Sequence, residues 1–365
     1  MSFLLLFALL AQTPAPPRVS FSGYVQPQYD VRTADGDSVD RTLFRRMFFT
    51  LDARPFENWV GQFQVDAGRL VSFGDRPVVK NAYIQYTGWQ DRGVTVTIGN
   101  QKPPFSRSLL TSSSRRALIE RSFTGDRVYG NPGRAPMVKF EGEHQDGHLY
   151  WAAAGGASRQ VPDAEFVRID GPAETGSAGV HEGPIASGRL EIFPLGDMSR
   201  EQADFARSPL RVGLAVGTYG WWNDDDTAPQ EDGSISLSHV HGYEISAAVR
   251  GGGAWMDAGY NRIDAEAIDP AAASGLYAHG RALLNQASIE GGYLFWQPHL
   301  EAVGMFDALS AEPFVVTWRR VTGGMNWYMR RHELKVSLMH RESFNERGVA
   351  DARSHTTYLQ MQFAF

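Results

Sequence analysis

The chain has 365 residues, 35 Lys and Arg against 41 Asp and Glu, a formal charge of −6, 38 Gly and no Cys. The missing cysteines exclude a disulfide framework and a thiolate metal site, and the length suits a single large barrel as well as two smaller domains. The mean hydropathy of −0.32, with no run of ~20 apolar residues past the N-terminus, excludes a bundle of membrane helices. It leaves open a membrane barrel, whose strands conceal their hydrophobicity by alternating it.

Residues 1–11 are an apolar run that resembles the h-region of a secretory signal with cleavage near Ala11, although it is short and no Lys or Arg precedes it. A buried first strand is the alternative, and the Pro-rich leader at 12–17 argues against it. Residues 18–365 read as one domain. From Val19 to Arg32 the chain alternates: Val19, Phe21, Gly23, Val25, Pro27, Tyr29 and Val31 share one face, and polar residues share the other. Period two with one apolar face predicts a half-buried strand, and its length fits a span tilted across a bilayer.

The pattern returns along the whole chain. Leu43, Met47, Phe49, Leu51 and Ala53 oppose Arg46, Thr50, Asp52 and Arg54; Trp59, Gly61, Phe63, Val65 and Ala67 oppose Gln62, Gln64, Asp66 and Gly68; Ala82, Ile84 and Tyr86 oppose Asn81, Tyr83 and Gln85; and Val94-Thr95-Val96-Thr97-Ile98 alternates in the same way. After a long connection come Val138 and Phe140 against Lys139 and Glu141, then Leu149–Ala153, Leu190 and Ile192 against Arg189 and Glu191, Leu210–Val216 around Arg211, and Tyr243–Val249 against Glu244, Ser246 and Arg250. Segments at 254–263, 284–295, 299–307, 314–329, 333–341 and 356–365 complete about sixteen predicted strands. Gly-, Pro-, Asp- and Asn-rich connectors separate them. Tight turns alternate with longer loops, as they do at the two ends of a membrane barrel. The last strand ends the chain on Phe365, which resembles the terminal signal of bacterial outer-membrane barrels.

The long connection at 101–134 departs from this pattern. It carries seven cations, Lys102, Arg107, Arg115, Arg116, Arg121, Arg127 and Arg134, against Glu120 and Asp126, a formal +5 in a −6 protein. A short helix at Ser114–Ser122 is expected within it. If it lies in a narrow aqueous passage, low-dielectric walls focus its field and concentrate anions; Arg binds oxyanions bidentately and Lys as a point charge. Arg46, Arg54, Lys139, Arg189 and Arg211 have the phase to extend an anion path. The competing reading of each is pairing with Asp52, Asp66, Glu141 or Glu191.

Five further stretches stand out: Phe44-Arg45-Arg46, Val79-Lys80-Asn81-Ala82-Tyr83-Ile84, Gly99-Asn100-Gln101-Lys102-Pro103-Pro104-Phe105-Ser106, Glu120-Arg121-Ser122 and Gly323-Gly324-Met325-Asn326-Trp327-Tyr328. Together they resemble motifs of the phosphate-selective porin O and P family. The Lys-x-Pro-Phe-Ser and Glu-Arg-Ser pair is the most specific. The resemblance implies a sixteen-stranded antiparallel transmembrane barrel with an inward-folded third loop. It also implies a homotrimer in the bacterial outer membrane, surrounded by lipid and lipopolysaccharide and passing small anionic or polar solutes. No enzyme activity, cofactor, metal or nucleic-acid partner is expected. Beyond residue 180, Arg189, Arg211 and Arg250 are scattered rather than stacked, so the implied preference is a lean towards anions such as phosphate.

Two other classes compete. Barrel phospholipases and proteases need a Ser–His pair or a carboxylate constellation at one end; Ser106, His144, His148, Asp163 and His181 show no motif spacing. His239-Val240-His241 places two imidazoles on one strand face, the spacing of a metal pair, although exposed loop histidines explain it more simply. The third class is a structural or adhesive barrel with a plugged lumen.

Overall fold

In a computed structural model that describes residues 18–74, 77–144, 147–161, 163–170, 182–223 and 233–365, sixteen antiparallel strands close into one barrel. The leader expected over 1–17 lies outside the described residues, as do His181 and most of the 223–233 connector. The strands are β1 (Arg18–Ala34), β2 (Asp37–Phe56), β3 (Trp59–Asp66), β4 (Val78–Tyr86), β5 (Thr95–Gln101), β6 (Ala135–His144), β7 (Leu149–Arg159) and β8 (Glu182–Leu195). Then follow β9 (Arg211–Trp222), β10 (Leu237–Gly251), β11 (Ala254–Ala267), β12 (Arg281–Trp296), β13 (Leu300–Ala311), β14 (Trp318–Arg330), β15 (Leu334–Phe344) and β16 (Arg353–Ala364). Each pairs with its sequence neighbours, and β1 pairs with β16.

The alternation decides the two faces. Phe21 and Ile245 are 61% and 65% exposed on the outside, while their neighbours Gln26 and Glu244 are buried inside. Such an apolar outer face suits lipid, and the polar inner face suits water. Among the described residues no helix is long and apolar enough to cross a membrane.

Two bulges alter the predicted phase. Gln26 pairs with Arg46 and Pro27 with Phe44, so Arg45 is an extra residue on β2. Two residues opposing one let both guanidinium groups reach the interior, Arg45 to Glu120 and Arg46 to Gln26. Leu43, expected on the lipid face, is instead 9% exposed and in register with the buried Gln28; the bulge flips every residue before it. A second irregularity sets Phe63 against Ala82 but Val65 against Val79, which turns both Lys80 and Asn81 inward. Gly68, expected on a strand, starts a short helix, α1 (Gly68–Phe73). Ser72 Oγ on this helix accepts from the Phe44 amide at 2.7 Å, and Asp66 Oδ1 accepts from the Met47 amide at 3.2 Å, so amides that the bulge frees are satisfied.

Long connections cluster at the barrel end that holds 102–134, 160–181, 223–236 and 268–280; the opposite end has turns as short as 252–253. One exception at the short-turn end is 196–210, between β8 and β9.

The chain closes on its last residue. Phe365 and Gly23 exchange backbone hydrogen bonds of 3.0 Å in both directions, and the Phe365 ring lies 5.9 Å from Phe21 and 6.4 Å from Phe49. A Cβ on Gly23 would stand 2.4 Å from the Phe48 carbonyl and 2.8 Å from the Phe365 ring, so this approach requires glycine. Deleting Phe365 should reduce the yield of folded, heat-modifiable barrel without reducing secretion. Equal amounts of folded protein from the deletion and the parent on an unheated gel would refute this.

Candidate functional site

The segment 102–134 leaves β5, crosses the barrel interior and returns at β6. It starts with a single turn, α2 (Arg107–Leu110), capped where Ser106 Oγ accepts from the Leu109 amide at 3.1 Å. The helix expected at Ser114–Ser122 does not form; only 3₁₀ turns appear, at Ser113–Arg115 and Phe123–Gly125. The backbone between them is committed to the wall. The Ala117 amide donates to Gln202 at 2.8 Å, Asn326 donates to the Ala117 carbonyl at 3.0 Å, and Lys335 donates to the Arg116 carbonyl. At the far side Gln26 and Gln362 donate to the Ser113 and Ser114 carbonyls.

One side of the segment is pinned by a row of buried acids from β8, β10, β11, β12 and β13. Arg107 bonds Glu191 at 2.7 Å and Asp257 at 3.0 Å, and its amide donates to Glu244 at 2.8 Å. Arg116 meets Glu290 at 3.0 Å, and the Phe123 amide donates to Asp307 at 2.9 Å. Arg189 bridges Glu191, Glu244 and the Phe105 carbonyl. Charge-assisted bonds of this kind are the strong ones. Above the row an apolar cluster including Phe105, Phe123, Tyr129, Tyr219, Trp221 and Trp318 fills this half of the lumen. Below it, 196–210 forms a floor: Ser199 O accepts from Arg107, Glu201 pairs with Arg115 at 3.3 Å, and Gln202 bonds Glu290 at 2.9 Å.

The other side faces open space. A cavity of about 550 Å³ lies between the segment and the wall of β1–β6, lined by eight cationic and four acidic residues. Four of the cations are matched: Arg45 holds Glu120 at 2.7 Å, Lys139 holds Glu141 at 2.8 Å, Lys80 lies 3.9 Å from Asp66, and Arg127 pairs with Asp170. Arg46, Lys102, Arg121 and Arg134 have no carboxylate within ion-pair distance among the described residues. Neutral oxygens hold them instead: Gln26 Oε1 at 3.1 Å, the Leu109 carbonyl at 2.6 Å, the Ser108 and Thr111 carbonyls, and Asn81 Oδ1 at 2.8 Å. Their charge is therefore positioned without being neutralised. Burial, and then the guanidinium groups of Arg121, Arg134, Arg127 and Arg116, hold the Lys102 ammonium well below the ordinary lysine range. Raising the pH through the alkaline range should therefore weaken any anion preference earlier than an ordinary lysine would, and Lys102→Arg should reduce that dependence. Reversal potentials that follow the same pH curve in both proteins would contradict it.

The twelve residues expected to form an anion path thus separate. Lys102, Arg121, Arg127, Arg134, Arg46 and Lys139 line the cavity. Arg107, Arg116 and Arg189 sit in the buried acid row, and Arg115 is half-exposed on Glu201. Arg54 is exposed at the end of β2, in register with Arg18, and Arg211 opens β9 beside Arg250. Arg45 and Lys80 also line the cavity; both stand in the family-like motifs, but strict alternation would not turn them inward.

Among the described residues the catalytic candidates are not brought together. Ser106 is spent on its cap and on the Thr124 carbonyl, His148 Nδ1 meets the Phe193 carbonyl at 2.7 Å, His144 stacks on Trp151, and Asp163 bonds nearby loop amides. His239 and His241 lie side by side, 5.1 Å between rings, with Glu266 3.7 Å from His239. Among the described residues no group of three His, Asp or Glu side chains converges to hold a metal ion.

Comparison with known proteins agrees with this architecture. The sequence model of phosphate-selective porin O and P matches residues 21–166, and no curated protein matches the sequence. Among solved structures, the anion-selective porin from Comamonas acidovorans superposes with a TM-score of 0.63 at 11% identity, covering 96% of this chain and 100% of that one. The outer membrane channel DcaP of Acinetobacter baumannii gives 0.57 at 11%, covering 97% and 99%. The trimer form of OmpT, an outer membrane protein of Vibrio cholerae, gives 0.56 at 12%, covering 96% and 100%. At such identities the likeness shows a shared porin fold. Over residues 21–166 the chain is similar in sequence to the phosphate-selective porins O and P.

Proposed function

We propose that this protein is a porin of the bacterial outer membrane, a passive diffusion channel that prefers small anions and has no enzymatic role. The observation that carries the reading is the set Arg46, Lys102, Arg121 and Arg134, held on neutral oxygens around an open cavity. An ion entering there meets uncompensated positive charge between low-dielectric walls, which raises its local concentration. The matched cations add less, because their fields are cancelled close by. Phosphate is one anion of the right chemistry, and the Comamonas porin's described anion selectivity is consistent with the reading. Trimer assembly, as described for the Vibrio protein, is part of the same proposal, with residues 1–11 as a secretion signal, 12–17 as its Pro-rich leader, and 101–134 as the pore loop.

The test is a planar bilayer with a KCl gradient. Discrete conductance steps and a reversal potential of anion-selective sign are expected. A cation-selective sign would overturn the preference. Insertion without conductance would favour the plugged barrel, for which the filled β8–β14 half of the lumen is the relevant observation.

A further inference from the structure

Resting on that reading, we infer that the cavity favours hydroxylated organic anions, such as sugar phosphates and sugar acids, over inorganic phosphate. The observation is that its two sides differ in kind. The unpaired cations come from the segment 102–134 and β2. The wall opposite, on β3, β4 and β5, presents Gln62, Gln64, Tyr83, Gln85 and Thr97.

These carboxamides are braced along the wall. Gln64 Nε2 donates to Thr50 Oγ1 at 2.8 Å, Gln85 Nε2 donates to Thr97 Oγ1 at 3.2 Å, and Gln62 is held between Asp52 and Asn81. Each thus commits one N–H to the wall, and the amide oxygens of Gln64 and Gln85 accept no hydrogen bond from the described residues. An amide oxygen is an acceptor and repels a bare oxyanion, whereas it accepts from a hydroxyl. The carboxamides and Tyr83 can also donate, but Lys80 on the same wall is matched by Asp66, so an inorganic anion finds unmatched cations on one side only. A solute with an anionic group at one end and hydroxyls along its body engages both sides at once. Tyr24 and Phe48, stacked 4.9 Å apart on the same cavity, supply an apolar floor for the C–H face of a sugar ring. The volume of about 550 Å³ admits one such molecule.

The experiment is block of KCl current through single channels, with glucose 6-phosphate, inorganic phosphate, glucose, gluconate or acetate added on one side at fixed pH. Glucose 6-phosphate should half-block at about a fifth of the concentration phosphate needs, the factor one ordinary hydrogen bond supplies. Gluconate should block more strongly than acetate, and glucose should not block. Gln64→Met with Gln85→Met should weaken the glucose 6-phosphate block and leave the phosphate block unchanged. Phosphate blocking at equal or lower concentration, gluconate no better than acetate, or a glutamine double variant with an unchanged sugar-phosphate block would each overturn the inference. If the wild-type reversal potential still has anion-selective sign in those cases, the inference fails alone. A cation-selective sign would remove the reading beneath it as well.

Discussion

Replacing Arg46, Lys102 and Arg121 together by Gln is expected to lower the anion-over-cation permeability ratio by at least about fivefold at 0.1 M salt. Two unit charges ~4 Å apart interact by about 1 kcal/mol even in bulk water, and by about 4 kcal/mol at an effective dielectric of ~20. The lower figure alone corresponds to roughly a factor of five, since about 1.4 kcal/mol is tenfold. All three groups are held by neutral oxygens, so their removal strands no carboxylate. The barrel should fold normally and the whole effect should appear in the reversal potential. It should shrink at 1 M salt, where the Debye length is ~3 Å. Arg115→Ala serves as the control, because Arg115 pairs with Glu201 away from the cavity. A triple variant that reverses at the wild-type potential would show that the cavity cations do not select ions.

Arg107→Ala should release the segment from its wall. The guanidinium satisfies Glu191, Asp257 and the Ser199 carbonyl together. Glu191 keeps Arg189 and Arg200, and Asp257 keeps Arg250, so what is lost is the segment's own charge-assisted bonds, about 1.5–3 kcal/mol each. The strand ladders do not involve this side chain, so the barrel should remain closed and heat-modifiable. The expected result is a larger, noisier conductance that has lost part of its anion preference. Unchanged conductance and noise in Arg107→Ala would mean that other contacts seat the segment.

Much of the barrel was legible because period-two alternation is local: every predicted strand corresponds to one of β1–β16. What was not legible depends on single-residue insertions or on distant partners. One extra residue at Arg45 inverts the phase of Leu43, and alternation carries no mark of the insertion. Arg107 and Arg116 look like Lys102 and Arg121 in a basic run. They differ only in what faces them across the lumen, carboxylates on β8, β11 and β12 for one pair and backbone carbonyls for the other. The helix expected at Ser114–Ser122 failed for the same reason, since Gln202, Asn326 and Lys335 take its backbone groups. The 196–210 connection gave no local sign that it would form a floor.

The acid row also has a bearing on the order of assembly. Arg107 reaches Asp257 across 150 positions, Arg116 reaches Glu290 across 174, and Ser114 meets Gln362 across 248. Contacts so distant along the chain form only after the intervening loops have been closed, which is slow. The strands that flank the segment can pair with each other early, but its docking partners do not exist as a surface until the second half of the barrel is in register. Seating must therefore follow closure. A newly closed barrel would pass through a wide, weakly discriminating stage before its filter is in place, and selectivity would be the last property the molecule acquires.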